Sequence, residues 1–330
     1  MKSAKLFFFL LLVGLLAIPM AHAKTSIKLA MSDVKGSDMW ELCTRFKEIV
    51  EAVSEGEVEI VIYPNSVMGS EQETVQNTRM GTLDMTVVAI NNLTPFAKTA
   101  GILTLPYIME SHYDAVKMTT GALGEYWRDV ITKEAGVRPL GWCYSNFRNL
   151  TNSEKPIKTL QDLQGLKIRV PKNAQMIETY KAWGLSPVPM AWDETFTALQ
   201  QKVVDGQDNP YLVLVSNKFY EVQTHLTDLH YNYSLQPLLV GERFFQKLSP
   251  EIQDLLTRAG IEAQQYNLLF TVQESGKAKN FLLSEGGMEL SELEDEEEWS
   301  RLAKEKVWPK FYDEFGGKEK VDEVLKMMGK

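Results

Sequence analysis

The chain has 330 residues, a formal charge of −9 and 44% hydrophobic residues. That is enough apolar material for one large or two ordinary domains. The acidic balance, with no basic patch or stripe, excludes nucleic acid as a partner. Two cysteines, Cys43 and Cys143, are too few for a disulfide scaffold.

The first stretch reads as a secretory leader: Lys2 and Lys5, an apolar run from Leu6 to Met20, then Ala21-His22-Ala23 as a cleavage site. Residues 1–23 are thus expected to be removed and the remainder exported. No later apolar run approaches the ~20 residues that a membrane helix needs. Ile27 to Ala30 reads as a short buried strand. Met39, Trp40, Cys43, Phe46, Ile49, Val50 and Val53 recur at helical spacing. Val58, Ile60 and Ile62 share one face of a strand, alternating at first with the charged Glu57 and Glu59. Gly69-Ser70 opens a second helix, with Glu71 and Glu73 in its first turn, and Gly81 stops it. Leu83 to Ile90 reads as the next strand, broken by Asn91-Asn92 and Pro95. Helix and strand alternating at this rhythm predict an α/β fold with a largely parallel sheet. Cys43 falls on a helix-like run and Cys143 on a strand-like one, which favours two separate buried thiols over a bridge.

The run from Trp142 to Phe147 is strand-like and ends at Arg148. In Leu166-Lys167-Ile168-Arg169-Val170-Pro171 the apolar residues share one face of a strand, and Lys167 and Arg169 share the other. Ile177, Tyr180 and Trp183 form a helical face closed by Gly184. Phe196, Leu199 and Val203 form another, with Asp193 as its N-cap. Asp205-Gly206-Gln207-Asp208-Asn209-Pro210 reads as a turn. Val213 to Val222 is expected to be helical, Leu235 to Val240 a strand, and the rest mostly helix. The acidic run Glu292 to Glu298 reads as a solvated helix face. Two guanidiniums, Arg148 and Arg169, and the Asn209 amide are positioned by this pattern to converge on a carboxylate, because a planar fork matches a carboxylate bidentately.

No nucleophile elbow, zinc-binding helix, P-loop or dinucleotide fingerprint occurs. The four histidines lack metal-ligand spacing. The sequence therefore predicts neither an enzyme nor a cofactor or metal. An exported hydrolase acting on an acid substrate is the rival reading, together with a binding subunit that reports to a sensor kinase.

Gly165-Leu166-Lys167-Ile168-Arg169-Val170-Pro171, Pro187-Val188-Pro189-Met190 and Asp205-Gly206-Gln207-Asp208-Asn209-Pro210, at their mutual spacing, carry a resemblance. The chain resembles the DctP-type solute-binding proteins of tripartite ATP-independent periplasmic (TRAP) transporters. The resemblance implies a two-domain α/β clamshell with crossing strands and a long helix in the C-terminal region spanning both domains. It divides the chain into domain I, 24–146 and 236–276, and domain II, 147–235 and 277–330. It implies capture of an organic acid in the periplasm, a monocarboxylate, sugar acid or small dicarboxylate, and delivery to membrane permease subunits. It assigns the ligand carboxylate to Arg169, with Arg148 as second arginine, Asn209 beside them and Trp192 lining the pocket. On domain I it points to Glu71, to Ser32 after the first strand, and to Ala89 and Asn92 at the end of the third. Asp208 stands where the family usually has Glu, and Lys202 where Gly is common. Trp192 replaces a more frequent Phe, which hints at a smaller or flatter ligand. Neutral Ser32 and Asn92 offer no partner for a second carboxylate, which argues against a long dicarboxylate.

Overall fold

The computed structural model describes residues 24–330, so the expected leader lies outside the described residues. Strands β1 (Thr25–Met31), β2 (Val58–Tyr63), β3 (Met85–Val87) and β4 (Val137–Phe147) belong to one sheet. A second sheet and a two-residue ladder follow from β5 (Asn149–Asn152), β6 (Arg169–Val170), β7 (Val188–Pro189), β8 (Gly206–Asn209) and β9 (His225–Asp228). Strand β10 (Tyr233–Gly241) returns to the first sheet, and β11 (Glu289–Glu292) completes the second. The orders are β2-β1-β3-β10-β4, β11-β9-β5-β8 and β6-β7.

The first sheet is mixed rather than largely parallel. β1 runs parallel to β2 and β3, while β10 is antiparallel to both β3 and β4. The reason is the path of the chain. β4 leaves the first sheet and continues after Arg148 as β5; β9 leads back through Leu229–Asn232 into β10. Two neighbouring strands that carry the chain out and back must run in opposite directions. β5 and β9 accordingly pair antiparallel as well.

Helices cover both faces of each sheet. Met39, Cys43 and Phe46 pack with Ile27, Leu29 and Cys143 on one face of the first; Trp127, Trp142 and Tyr144 lie on the other. Both cysteines are buried free thiols, as expected. The 34-residue helix Pro250–Leu283, about 50 Å long at 1.5 Å per residue, joins the two lobes. Leu256, Ala259 and Ala263 enter the first lobe's core, and Ala278 and Leu282 the second's. It lies so close on β4 that a Cβ at Gly260 would sit 2.3 Å from the Leu140 carbonyl oxygen. Helix Glu296–Phe315 bridges in the same way: Trp299 and Ala303 face the second lobe, Val307 and Phe311 the first. The acidic run is helical only at its end: Glu292 closes β11, and Glu296, Glu297 and Glu298 open this helix, with Asp295 as N-cap accepting from the Glu298 amide.

Several expected boundaries shift. β3 stops at Val87, and Asn92 sits inside a short helix, Ile90–Leu93. The helix after Pro210 covers only Tyr211–Ser216, because Lys218 turns left-handed at φ 55° before a 3-10 turn over Phe219–Glu221. The helix expected to be capped by Asp193 begins at Trp192, with Ala191 in the N-cap position; Val203 lies beyond its end and is exposed. Gly206–Asn209 is a buried strand rather than a turn. Its polar side chains escaped the apolar pattern because each has a buried partner: Gln207 donates to Thr151, and Asp208 accepts from Arg148 and Tyr231.

Lys202 adopts φ 57° just after helix Trp192–Gln200. A left-handed residue commonly ends a helix and favours glycine, since a Cβ there costs roughly 1–2 kcal/mol. Lys202→Gly is therefore expected to raise the unfolding free energy by about 1 kcal/mol, less the entropy glycine loses on folding. An unchanged or lower urea midpoint would show that the lysine is unstrained.

Candidate ligand-binding site

All eight residues singled out from the sequence line one cavity of about 30 Å³ between the lobes. Ser32, Glu71, Ala89 and Asn92 come from the first lobe; Arg148, Arg169, Trp192 and Asn209 come from the second. The cavity also takes in Asp33 and, on β10, Gln236.

The two arginines are not equivalent. Arg148 follows a β-bulge in the β4–β10 ladder, where Asn146 adopts φ 80° as β4 leaves the sheet. Its backbone amide bonds the Asn232 carbonyl, so the two linkers are paired at this point. The side chain is buried and bound to Asp208: Nε donates to Oδ2 at 2.9 Å, and Nη2 donates to Oδ1 at 3.2 Å and to the Asp208 carbonyl. Burial works against its charge, and Asp208 more than offsets this, so its pKa is raised. Arg148 is thus largely occupied by the protein itself.

Arg169 is also buried, at 2% exposure, but holds no carboxylate. Nε and Nη2 both donate to the single carbonyl of Met190, at 3.2 and 2.8 Å. The alternation read from the sequence holds: Leu166, Ile168 and Val170 are in the core, while Arg169 faces the cavity. Burial and the neighbouring Arg148 lower its pKa to about 10, so it is still charged at neutral pH. Its guanidinium lies 5.9 Å from the Trp192 ring centroid, over the indole. Trp192 is held in turn against Phe219, 5.5 Å between centroids. Asn209 ends β8 with its amide donating to Gln207 Oε1.

The opposite wall is acidic. Glu71 opens helix Glu71–Met80, where Ser70 and Glu73 form a capping box. Its Oε1 accepts from the Ala89 amide at 2.8 Å and its Oε2 from the Asn92 side chain. Burial raises its pKa, partly offset by these bonds, by Ser32 and by Arg169. Asp33, 3% exposed, is braced by the turn after β2. There Asn65 and Ser66 are both left-handed, and the Asn65 amide bonds the Asp33 carbonyl at 3.0 Å. Asp33 Oδ1 accepts from the Val34 amide at 2.8 Å and from Asn217 of the second lobe at 2.7 Å. On another side of the cleft Asn173 donates to the Asn91 carbonyl at 3.2 Å and to Thr94 at 3.1 Å.

Sequence reading missed Asp33 and Gln236. Gln236 carried a signal, since it is the lone side-chain hydrogen-bonding residue in the run Leu235 to Val240. Asp33 carried only its place beside Ser32.

The family model for bacterial extracellular solute-binding proteins, family 7 (DctP), matches residues 31–314, and the chain belongs to that family. A TRAP periplasmic solute-binding protein of Rhodobacter sphaeroides, solved apo and open, is 40% identical; the match covers 92% of this chain and 99% of that one, with a TM-score of 0.77. One from Roseobacter denitrificans with bound L-galactonate is 29% identical, with coverages of 92% and 98% and a TM-score of 0.85. One from Polaromonas bound to D-erythronate is 31% identical, with coverages of 91% and 98% and a TM-score of 0.84. The chain is accordingly a two-domain solute-binding protein of the TRAP type, as the sequence motifs implied. No helix among the described residues is long and apolar enough to cross a membrane.

Burial pushes the Asp33 carboxyl from 3.8 up to about 7, with Asp38 and Glu71 adding to the rise and Asn217 and the Val34 amide opposing it. An acid whose folded value exceeds its unfolded one holds an extra proton in the folded chain. Its ionisation therefore removes stability as pH rises from its ordinary value through about 7. The thermal midpoint is expected to fall between about pH 5 and about pH 8, and Asp33→Asn to flatten that fall. Identical profiles for both proteins would show that Asp33 titrates normally in the fold.

Proposed function

We propose that this protein captures an organic acid in the periplasm by closing its two lobes over it, then delivers the acid to TRAP permease subunits. Residues 1–23 direct export and are then removed. The ligand is bound and released without chemical change. One observation carries the reading: a buried guanidinium, Arg169, lines the cavity between the lobes with only a carbonyl as partner. A buried charge without a counter-charge is costly. A ligand carboxylate supplies the missing charge and accepts two parallel hydrogen bonds, each worth roughly 1.5–3 kcal/mol when water is excluded.

The first lobe in this reading is 24–146 and 236–276 together with Lys318–Met328, which the sequence reading assigns to the second lobe but whose Val321 and Val324 pack in the first lobe's core. The second is 147–235 with the greater part of 277–315. The hinge is the paired crossing at Arg148 and Asn232, with the long helix alongside. The comparison with relatives supports hinge motion. The open relative, which is also partially disordered, is the more similar in sequence, yet it superposes less well than the two ligand-bound ones, in keeping with a rotation of whole lobes.

A thermal-shift screen of organic acids identifies ligands; stabilisation of about 2.7 kcal/mol is expected at a hundred times the dissociation constant. By calorimetry, Arg169→Ala is expected to weaken the best ligand at least about a hundredfold, from two lost charge-assisted bonds, while the apo melting curve barely moves. Near-wild-type affinity in that variant, or recovery of the ligand as a different compound, would overturn the proposal.

A further inference from the structure

The cavity's charge is lopsided in a way the two arginines alone do not suggest. Asp208 neutralises Arg148, which leaves Arg169 as the single uncompensated cation. Facing it stand two acids, Glu71 and Asp33. The two oxygens of Glu71 are bonded to Ala89 and Asn92. Asp33 spends Oδ1 on Val34 and Asn217, while Oδ2 accepts no hydrogen bond among the described residues. Gln236 adds a second acceptor in need of a donor. Its side chain lines the cavity, is 5% exposed, and its Oε1 is buried without a partner. A buried acceptor left unpaired costs about 1–3 kcal/mol, so a ligand that donates there gains what one that only accepts cannot.

We infer that Asp33 and Gln236 determine specificity, selecting an acid with one carboxylate and a hydroxylated tail and rejecting a second carboxylate at the tail. The inference rests on the proposal that Arg169 anchors a carboxylate. One hydroxyl of the tail donates to Asp33 Oδ2 and another to Gln236 Oε1. A carboxylate in the same place has no proton to give Gln236 Oε1 and meets a like charge on Asp33, with Glu71 adding to the repulsion. Like charges brought together in a desolvated interface cost several kcal/mol. Protonation of Asp33 relieves the repulsion, so the discrimination weakens as pH falls. The groups that set this are Asp38 and Glu71, which disfavour the Asp33 carboxylate, and Asn217 and the Val34 amide, which favour it.

Matched aldonic and aldaric acids of four to six carbons test this, beginning with erythronate and meso-tartrate, which differ only in a terminal hydroxymethyl or carboxylate. Calorimetry at about pH 8 is expected to show the wild type preferring the aldonate by about a hundredfold, equivalent to some 2.7 kcal/mol. Asp33→Asn is expected to shrink the ratio at least about tenfold. In the wild type the ratio should also shrink at about pH 6, but not in Asp33→Asn. Gln236→Leu should weaken the aldonate more than the aldarate. The wild-type pH comparison stands even where a variant fails to fold. A ratio unmoved by Asp33→Asn and by pH, or a wild type that prefers aldarates, overturns the inference while leaving the Arg169 anchor intact. A wild type that binds no acid of any kind overturns both.

Discussion

Two guanidiniums are buried within one cavity, and only one of them is neutralised. Asp208 grips Arg148 through its carboxylate and its backbone carbonyl, so that arginine serves as a fixed strut. Arg169 is left with Met190's carbonyl. Were both unpaired, their repulsion and joint desolvation would make the site expensive to fold; were both paired, nothing would remain to attract an anion. The asymmetry gives a site that folds around one charge and, in the proposed reading, keeps the other for a ligand. Burial and then the Arg148 cation lower Arg169's pKa, so its charged form is disfavoured until an anion joins it.

The strut sits where the chain crosses between lobes. Arg148 and Asn232 are paired across the two linkers, and Asp208 lies on β8, which pairs with β5. The ion pair therefore belongs to the second lobe and stays intact when the lobes rotate. What changes on rotation includes bonds that span the cleft, among them Asp33 to Asn217, and Asn173 to Asn91 and Thr94. These are neutral or singly charged bonds, each weak net of solvation, and suited to breaking and remaking. The strong interaction sits within a lobe and the weak ones lie between lobes.

Much of this was legible in the sequence. The alternation around Arg169, the motif spacing and the helix signals at Ser70 and Gly81 all reflect local physics, and the structure places all eight expected residues around one cavity. What was not legible depended on partners far along the chain. Asp205 to Pro210 reads as a turn because strands are recognised by apolar side chains, and here burial is permitted by Arg148, Tyr231 and Thr151 instead. The mixed sheet is a consequence of the double crossing, which no local pattern encodes. Lys202 stood out against a usual glycine, and its left-handed backbone supplies the physical reason. Asp33 could not be ranked above other acids, because its significance comes from burial and from Asn217, a residue of the opposite lobe.

The acidic wall has a further consequence for the energetics of capture. In the unliganded cavity Arg169 favours the ionised form of Glu71. A ligand carboxylate that occupies Arg169 screens that attraction and adds a negative charge of its own. Both effects favour the protonated forms of Glu71 and Asp33. Anion binding and proton uptake are then thermodynamically linked, and by the same linkage a proton bound to the wall strengthens the hold on the anion. The cavity can therefore accept an anion with less net change in buried charge than the ligand alone would bring. Such compensation matters most where water is excluded, which is the condition that closure of the lobes creates.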